Sequence, residues 1–265
     1  MTLQDLETVL SWAKAEGWNP GLEDAAAFYA ADPDGFFVKR LDNRPVAAIS
    51  VVNHTDQFAF LGLYICQPEY RGKGYGLEVW KAGIRHANGR SIGLDGVPDQ
   101  QANYAKSGFV KTGKNVRYRG VLQTSPQPAQ PEHPDPSVLA KADARAEGFQ
   151  RTAFLRHWFD TTKTRRTIVT SGGAFATCRQ CADGIKIGPL QAHDTAQITE
   201  LLQSIANLYP GETLTIDVPE KSTQLSTLLG SMDFEPSFET ARMYLGAPPE
   251  TDLPAYYAVA CLELG

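Results

Sequence analysis

The stretch of sequence that decides the fold is Leu61-Gly-Leu-Tyr-Ile-Cys-Gln-Pro-Glu-Tyr-Arg-Gly-Lys-Gly-Tyr-Gly-Leu-Glu-Val-Trp80. It begins within an apolar run, Phe58 to Cys66, that predicts a strand. It ends in a segment whose apolar residues recur at helical spacing, namely Leu77, Trp80, Ile84 and Ala87. The turn between them contains three glycines, which let a ligand approach the backbone, and it opens a helix N-terminus. Such a strand–turn–helix unit predicts an anion-binding site.

The glycine pattern narrows the choice of anion. A Walker loop would end in Gly-Lys-Ser/Thr, and the Rossmann fingerprint would read Gly-x-Gly-x-x-Gly, but the turn fits neither. Arg71, Gly74 and Gly76 instead fit Arg/Gln-x-x-Gly-x-Gly/Ala. After a strand, this pattern resembles the acetyl-CoA pyrophosphate loop of the GNAT N-acetyltransferase superfamily. The simpler alternative is a tight strand–helix turn that carries a solvated Arg71 and Lys73.

The composition is that of an ordinary soluble globular protein. The chain has 265 residues, of which 42% are apolar and 21% charged, and its net charge is −5. Lys and Arg form no long run, so nucleic acid and anionic membranes are poor candidates for partners. The first residues lack the features of a signal peptide, and no apolar run approaches ~18 residues. We therefore expect a cytoplasmic protein, either a monomer or a homodimer.

The four cysteines are consistent with a reducing compartment. The Cys178-x-x-Cys181 pair has no second pair and no neighbouring pair of histidines to complete a metal site. We expect both side chains to pack within a strand-like run and predict no metal. A zinc or redox role is the alternative.

The order of predicted elements in the first part of the chain matches the GNAT fold. Two helices, 3–16 and 22–31, precede a hairpin over 36–52 that turns at Asp42-Asn43. The strand–turn–helix unit follows, then a strand at 91–95, a helix that ends near Ser107, and closing strands over 110–122. The resemblance, which covers about residues 1–123, implies an α/β fold with a mixed central sheet flanked by helices.

A proline-rich segment separates this part from a second one. Residues 124–137 contain five prolines and predict a semi-rigid extended linker. Beyond it we predict a helix from Val138 to Phe159, a series of strands and helices, and a final strand from Tyr256 to Leu264. We therefore divide the chain into an acetyl-CoA-binding unit at 1–123, a linker at 124–137, and a second unit at 138–265.

The second unit repeats motifs of the first. Leu94-Asp-Gly-Val-Pro98 resembles Ile216-Asp-Val-Pro219, and Val116-Arg-Tyr-Arg-Gly120 resembles Ala241-Arg-Met-Tyr-Leu-Gly246. We therefore expect two tandem GNAT-like domains. In the second copy, however, the slot of the phosphate loop has no glycine, and Asp194 fits a helix N-cap. We expect this copy to be degenerate and unable to bind coenzyme A.

The resemblance implies specific cofactor contacts. The diphosphate would lie on the turn and on the first N–H groups of the helix, over Arg71, Gly72, Lys73, Gly74, Tyr75, Gly76 and Leu77. In the GNAT fold a bulge separates the central strand from its neighbour and frees backbone groups. Here those groups belong to Tyr64, Ile65 and Cys66, which could hydrogen-bond the thioester oxygen and the pantetheine arm.

The resemblance also implies a general acid. The family often has Tyr-x-x-x-Gly-Phe in the helix after the fifth strand, with the tyrosine beside the sulfur, and this chain has Tyr104-Ala-Lys-Ser-Gly108-Phe109. A phenol of pKa about 10 can protonate a leaving thiolate. The alternative is a half-buried tyrosine that only packs. The usual asparagine before this tyrosine is replaced by Val97, so Asn103 is the remaining candidate for a contact with coenzyme A.

The acceptor side is less well defined. The break Gly17-Trp18-Asn19-Pro20-Gly21 would frame it, with Trp18 and Asn19 as substrate contacts, unless Trp18 simply packs in the core. Candidate general bases are Glu69, His54, Asp56 and Asp95, although water or backbone carbonyls could also take the proton.

These residues favour an acetyl-CoA-dependent N-acetyltransferase that acts on a small primary amine by direct attack. Two alternatives stay open at this point. One is a non-catalytic acyl-CoA-binding sensor whose second half docks a partner, and the other is a protein-lysine acetyltransferase.

Overall fold

The computed structural model describes residues 1–124, 135–254 and 256–265. Its helices are α1 (Leu3–Ala15), α2 (Asp24–Ala31), α3 (Tyr75–Ala87), α4 (Gln101–Lys106), α5 (Pro136–Glu147), α6 (Thr152–Trp158), α7 (Thr195–Leu208) and α8 (Thr223–Ser231). Its strands are β1 (Phe36–Leu41), β2 (Arg44–Asn53), β3 (Phe58–Cys66), β4 (Ser91–Gly96), β5 (Val110–Gly120), β6 (Arg165–Val169), β7 (Phe175–Gln180), β8 (Ile185–Ala192), β9 (Leu214–Pro219), β10 (Glu235–Leu245) and β11 (Tyr256–Ala258). Most of the predicted linker, residues 125–134, lies outside the described residues.

All of these strands belong to one mixed sheet. Their order is β1-β2-β3-β4-β10-β5-β9-β8-β7-β6, and β11 pairs with β8. The pairs β3–β4 and β8–β9 are parallel, and the other pairs are antiparallel. The predicted mixed α/β sheet flanked by helices is confirmed.

The two halves of the chain exchange their last long strands. β10, from the C-terminal half, lies between β4 and β5 of the N-terminal half. β5 in turn pairs with β9 of the C-terminal half. The sheet is therefore continuous across both halves, an arrangement that the tandem pattern in the sequence did not indicate.

The repeated Asp and Arg residues meet across this exchange. Arg242 of β10 stands opposite Asp95 of β4, with its Nε and Nη2 atoms each 2.9 Å from a carboxylate oxygen. Arg117 of β5 stands opposite Asp217 of β9 in the same way, at 2.7 and 2.9 Å. Each aspartate thus binds the arginine of the other half, which fixes the register of both exchanged strands.

Helices cover both faces of the sheet. Because successive side chains of a strand point to opposite faces, Ala48 and Val52 of β2 pack with α1, α2 and α6, while Ile49 and Val51 pack against α3. The core under α1, α2, α5 and α6 spans both halves. It includes Phe28 of α2 stacked on Trp158 of α6, with ring centroids 5.9 Å apart. α7 and α8 cover the opposite face in the C-terminal half.

Several predicted local features are confirmed. The β1–β2 hairpin turns at Asp42 and Asn43, both of which have positive φ. Asp194 caps α7 and accepts a hydrogen bond from Gln197 N–H at 2.8 Å. Cys178 packs in the core within β7, and burial raises the pKa of its thiol to about 12. None of the described helices combines the length and the apolar character needed to cross a membrane.

Three predicted elements were wrong. The closing strands expected over 110–122 are the single strand β5, because β10 of the other half occupies the place beside it in the sheet. The helix expected over 138–159 is split into α5 and α6, because Gly148 ends α5 with a φ of 80° in close contact with the Glu250 carbonyl. The strand expected to run from Tyr256 to Leu264 ends at Ala258. Val259 N–H then donates to the Asp217 carbonyl at 3.1 Å, and the tail leaves the sheet toward β3.

We expect Arg242→Ala to destabilise the protein strongly. The side chain of Asp95 is fully buried, and loss of its partner would leave an uncompensated charge, at a cost of about 3–5 kcal/mol. Urea unfolding measures this change. The exposed pair Lys114–Glu239 also involves β10 and joins it to β5, so Lys114→Ala is the control and should barely move the midpoint. Equal effects of the two variants would contradict this role for Arg242.

Candidate active site

Strands β3 and β4 part half-way along β3. They pair in parallel as far as Leu61 opposite Leu94 and no further. Just beyond this point Leu63 has a φ of 47°, and the pairing of β3 with β2 shifts its register. The backbone of residues 62–66 therefore leaves β4 and borders the opening between the two strands, which is the bulged geometry implied by the resemblance.

The turn that follows β3 forms a helix N-terminus without a side-chain cap. Gly72 and Gly74 have φ values of 75° and 86°, which residues with a side chain rarely adopt. Gly74 is the N-cap of α3 and provides no side-chain hydrogen bond. The N–H groups of Tyr75 and Leu77 lie in the first turn, where a helix offers no backbone acceptor. They are available to an anion, together with the positive end of the helix dipole.

Gly76 lets the central strand pack directly against this turn. A Cβ atom at Gly76 would lie 2.8 Å from the Tyr64 hydroxyl oxygen, so any other residue here would displace the Tyr64 side chain. The N–H of Gly76 lies near the Cys66 sulfur and acts to lower the pKa of its thiol. Burial nevertheless raises the pKa of the Cys66 thiol. This side chain therefore stays protonated and is poorly suited to act as a nucleophile.

The two cations of the turn are partly engaged by protein groups. Arg71 donates through Nε to the Cys66 carbonyl at 2.9 Å, and its guanidinium forms an ion pair with Glu16 at the end of α1. The Lys73 ammonium lies 5.3 Å from the centre of the Tyr70 ring. Arg71 therefore braces the turn against β3 and α1, and about half of its side chain is exposed to an incoming anion.

A cavity of about 450 Å³ joins the turn to the splayed strands and continues toward the C-terminal half. At one end its walls include residues of β3 and the turn that contains Gly72, Gly74 and Gly76. Residues of both halves form the other end. Among the predicted site residues, those that line it are Trp18, Tyr64, Ile65, Cys66, Arg71, Gly72, Gly74, Tyr75, Gly76, Leu77 and Tyr104.

Tyr104 lies inside this cavity. Its side chain is only 7% exposed, and its ring stacks on Trp80 with centroids 5.8 Å apart. The ring also packs against Gly96, where a Cβ atom would come within 3.0 Å. Burial raises the pKa of Tyr104 well above its ordinary value of 10. Since its hydroxyl has no hydrogen-bond partner among the described residues, it remains a protonated donor that faces the cavity.

Three predicted contact residues lie outside the described cavity lining. Asn103 donates its amide N–H to Gln100 at 2.9 Å. Asn19 exchanges hydrogen bonds with the backbone of Asp183 in the C-terminal half, at 2.8 and 3.2 Å. Lys73 is the third. Their ligand contacts stay predictions, although the Asn19 bonds help to hold the Trp18 loop against the other half.

The four candidate bases occupy unfavourable places. Asp56 is fully exposed, and Glu69 is exposed beside the turn. His54 packs against Phe149, with ring centroids 5.3 Å apart, and hydrogen-bonds the Leu264 carbonyl. Asp95 does line the cavity, but Arg242 and Asn115 occupy its oxygens. This pairing makes it a structural carboxylate.

The end of the cavity away from the glycine turn contains residues that the sequence did not single out as site residues. They are Arg117, Phe238, Thr240, Leu262 and Glu263. Most of them come from the C-terminal half and reach the cavity through the strand exchange and the turned tail. The only sequence signal for any of them was the repeated Arg of the closing strands, at Arg117 and Arg242.

Comparisons with known proteins agree with this geometry. Residues 3–109 match the model of the acetyltransferase (GNAT) family, and residues 139–258 match that of an acetyltransferase (GNAT) domain. The chain is also 35% identical over 272 aligned residues to the holothin acyltransferase of Pseudoalteromonas sp. (strain SANK 73390). That alignment covers 100% of this chain and 92% of the relative. The chain belongs to the GNAT acyltransferase family.

Solved structures share the fold. A candidate acetyltransferase from Pyrococcus horikoshii superposes with a TM-score of 0.85 at 22% identity, covering 100% of this chain and 94% of the other. A GCN5-related N-acetyltransferase from Anabaena variabilis gives 0.54 at 14% identity and covers 91% and 69% of the two chains. The two family matches and the full-length relative confirm the prediction of an acyltransferase enzyme with two tandem GNAT domains.

We expect His54 to govern stability in mild acid. Burial lowers its pKa from 6.5 to about 4, so the unfolded chain binds the proton first. The stability that His54 contributes is therefore complete above about pH 6.5 and is lost as the pH falls toward 4, by roughly 2–3 kcal/mol. Urea unfolding at about pH 7 and about pH 4.5 checks this. His54→Gln should lose clearly less stability between these pH values than the wild type, and an equal loss would contradict the assignment.

Proposed function

We propose that this GNAT protein transfers an acetyl group from acetyl-CoA to a small primary amine by direct attack. The observation that carries the proposal is the continuous cavity. It joins an uncapped helix N-terminus, a strand that has parted from its neighbour, and a buried tyrosine hydroxyl. The family generally uses acetyl-CoA as its co-substrate, and these three features suit its phosphate, thioester and sulfur in that order.

The turn at 71–77 would hold the diphosphate. N–H groups of Tyr75 and Leu77 would donate to its oxygens, and the helix dipole would favour its charge. Arg71 and Lys73 would add positive charge from the rim. The phosphate-type slot of the C-terminal half lacks these glycines and has Asp194 at the helix start, so we infer that only the N-terminal half binds coenzyme A.

The splayed part of β3 would align the reacting end. Backbone groups of Tyr64, Ile65 and Cys66 would pair with the pantetheine arm as an added strand does. A backbone N–H there would stabilise the negative charge that develops on the thioester oxygen. When the amine nitrogen forms its bond to the carbonyl carbon and the C–S bond breaks, Tyr104 would give its proton to the departing sulfur.

The acceptor would enter from the Trp18 side. The cavity volume of about 450 Å³ lies in the range of small-molecule sites, which supports a small acceptor. The relative that aligns over the whole chain is named for acylation of holothin, so holothin is the first acceptor to try. The four cysteines are all free, and we infer a cytoplasmic setting from them.

Leu77→Asp tests the phosphate-binding turn. Leu77 is 54% exposed at the third position of α3, where a carboxylate favours the helix but would repel the diphosphate. We expect normal stability and at least about a tenfold loss of acetyl-CoA affinity, measured by calorimetry. Val138, at the third position of α5 and 58% exposed, provides the matched control Val138→Asp. Unchanged affinity in Leu77→Asp would place coenzyme A elsewhere.

Tyr104→Phe tests the general acid. The variant keeps the ring that stacks on Trp80, so acetyl-CoA affinity should stay within about twofold while kcat falls by about 10²-fold or more. Free-thiol release with holothin and a panel of amines measures the rate. Tyr118→Phe, on β5 and packed at the edge of the C-terminal core, is the control. Wild-type turnover in Tyr104→Phe would remove this hydroxyl from the mechanism, and turnover only with lysine peptides would favour a protein acceptor.

A further inference from the structure

The tail after β11 brings one acidic residue to the splayed strands. Beyond Ala258 the chain turns back across the sheet and passes β3 at Gly62, where a Cβ atom would lie only 2.0 Å from the Glu263 carbonyl oxygen. Gly62 is the first residue of β3 beyond its pairing with β4. Glu263 therefore stands beside the point where the cavity opens between the strands, and Glu263 itself lines the cavity.

Glu263 is a buried residue whose carboxylate oxygens reach the cavity and have no hydrogen-bond partner among the described residues. The residue is 4% exposed, and no group among the described residues donates to its side chain. This is unusual, because a buried carboxylate is normally paired or hydrogen-bonded. Asp217, in the same region, shows the normal situation with both oxygens bound by Arg117.

Positive groups surround Glu263 but are bound to other partners. Its charge interacts with Arg117, Arg179 and Lys186, and also with the thiol of Cys261. Arg117 binds Asp217, while Arg179 binds Asp24 and the Ala260 carbonyl. Lys186 donates to the Trp18 carbonyl at 2.8 Å. Because these cations are bound to other partners, the oxygens of Glu263 stay available to a ligand in the cavity.

The other carboxylates that line the described cavity differ from Glu263. Glu16 forms an ion pair with Arg71 at the phosphate end. Asp95 is bound by Arg242 and Asn115. Asp99 is exposed at the start of α4. Glu263 alone among them is both buried and unpaired, and it lies at the end where Trp18 and Phe238 would frame an acceptor.

We propose that Glu263 is a catalytic residue that receives the proton of the acceptor amine. This inference rests on the proposed acetyl transfer. As the amine nitrogen bonds to the thioester carbonyl carbon, its N–H proton passes to the Glu263 carboxylate. The C–S bond breaks, and the sulfur takes the Tyr104 proton. The carboxyl proton then returns to the phenolate through water at the cavity mouth, so protons and charge balance over one turnover.

Glu263→Gln and Glu263→Ala test the assignment in the full-length protein. We expect kcat/KM for the amine to fall by about 10²-fold or more in both variants, with acetyl-CoA affinity within about twofold of wild type. The melting temperature should change little, since the Glu263 carboxylate makes no hydrogen bond among the described residues that the substitution would break. Added formate should restore part of the activity of Glu263→Ala and none of that of Glu263→Gln, because only the alanine variant leaves room for it. Glu239→Gln, at an exposed position of β10, is the matched control.

Each result that goes against the assignment of Glu263 has a different meaning. Wild-type turnover in Glu263→Gln would overturn the assignment. A fall in activity matched by lost acetyl-CoA affinity or a lower melting temperature, without formate rescue, would mean that Glu263 is only structural. If the wild-type protein neither binds acetyl-CoA nor releases thiol with any amine, the proposed function itself fails. Suppose instead that the wild-type protein binds acetyl-CoA and releases thiol, and that Tyr104→Phe is slower. Wild-type activity of Glu263→Gln would then refute only the role of Glu263.

Discussion

Two reciprocal Arg–Asp pairs hold the molecule together as one sheet. Asp95 binds Arg242, and Asp217 binds Arg117, so each half of the chain supplies the cation that the other half needs. All four side chains are largely buried, and neither ion of a pair could remain there alone without a large electrostatic cost. The exchange of β5 and β10 is therefore fixed both by backbone pairing and by charge. A one-residue slip of either strand would separate both oxygens of an aspartate from its arginine.

This exchange explains why a degenerate second GNAT domain forms part of the active site. By lying next to β4, β10 carries Phe238 and Thr240 to the cavity, and the tail beyond β11 carries Leu262 and Glu263. In the proposed reaction the N-terminal half would provide Tyr104 and the turn for the phosphates. The C-terminal half would form the acceptor end. The C-terminal half therefore lacks the glycine turn but still forms part of the cavity wall.

The charge of the groups that line the cavity changes from one end to the other. At one end an uncapped helix and two cations attract an anion. In the middle, burial keeps Tyr104 protonated and also keeps the Cys66 thiol uncharged. At the far end a carboxylate lies among cations that are committed to other partners. In the proposed reaction the diphosphate, the leaving thiolate and the attacking amine would meet these three regions of the cavity in that order.

The sequence by itself determined what depends on local spacing. The glycines of 72–76, the apolar period of α3, the Asp42-Asn43 turn and the position of Tyr104 before Gly108-Phe109 each act through near neighbours, so the central unit and the family could be read directly. The repeated Asp and Arg motifs were also visible, but not their partners, because an ion pair between residues 100 or 147 positions apart leaves no periodic trace. Only the tertiary structure decided which half binds which strand, that Gly148 splits a predicted helix, and that the tail leaves the sheet after Ala258. It also removed the proposed bases His54 and Asp56 from the site and placed Glu263 there, since burial and the absence of a partner are properties of the packed molecule rather than of the chain.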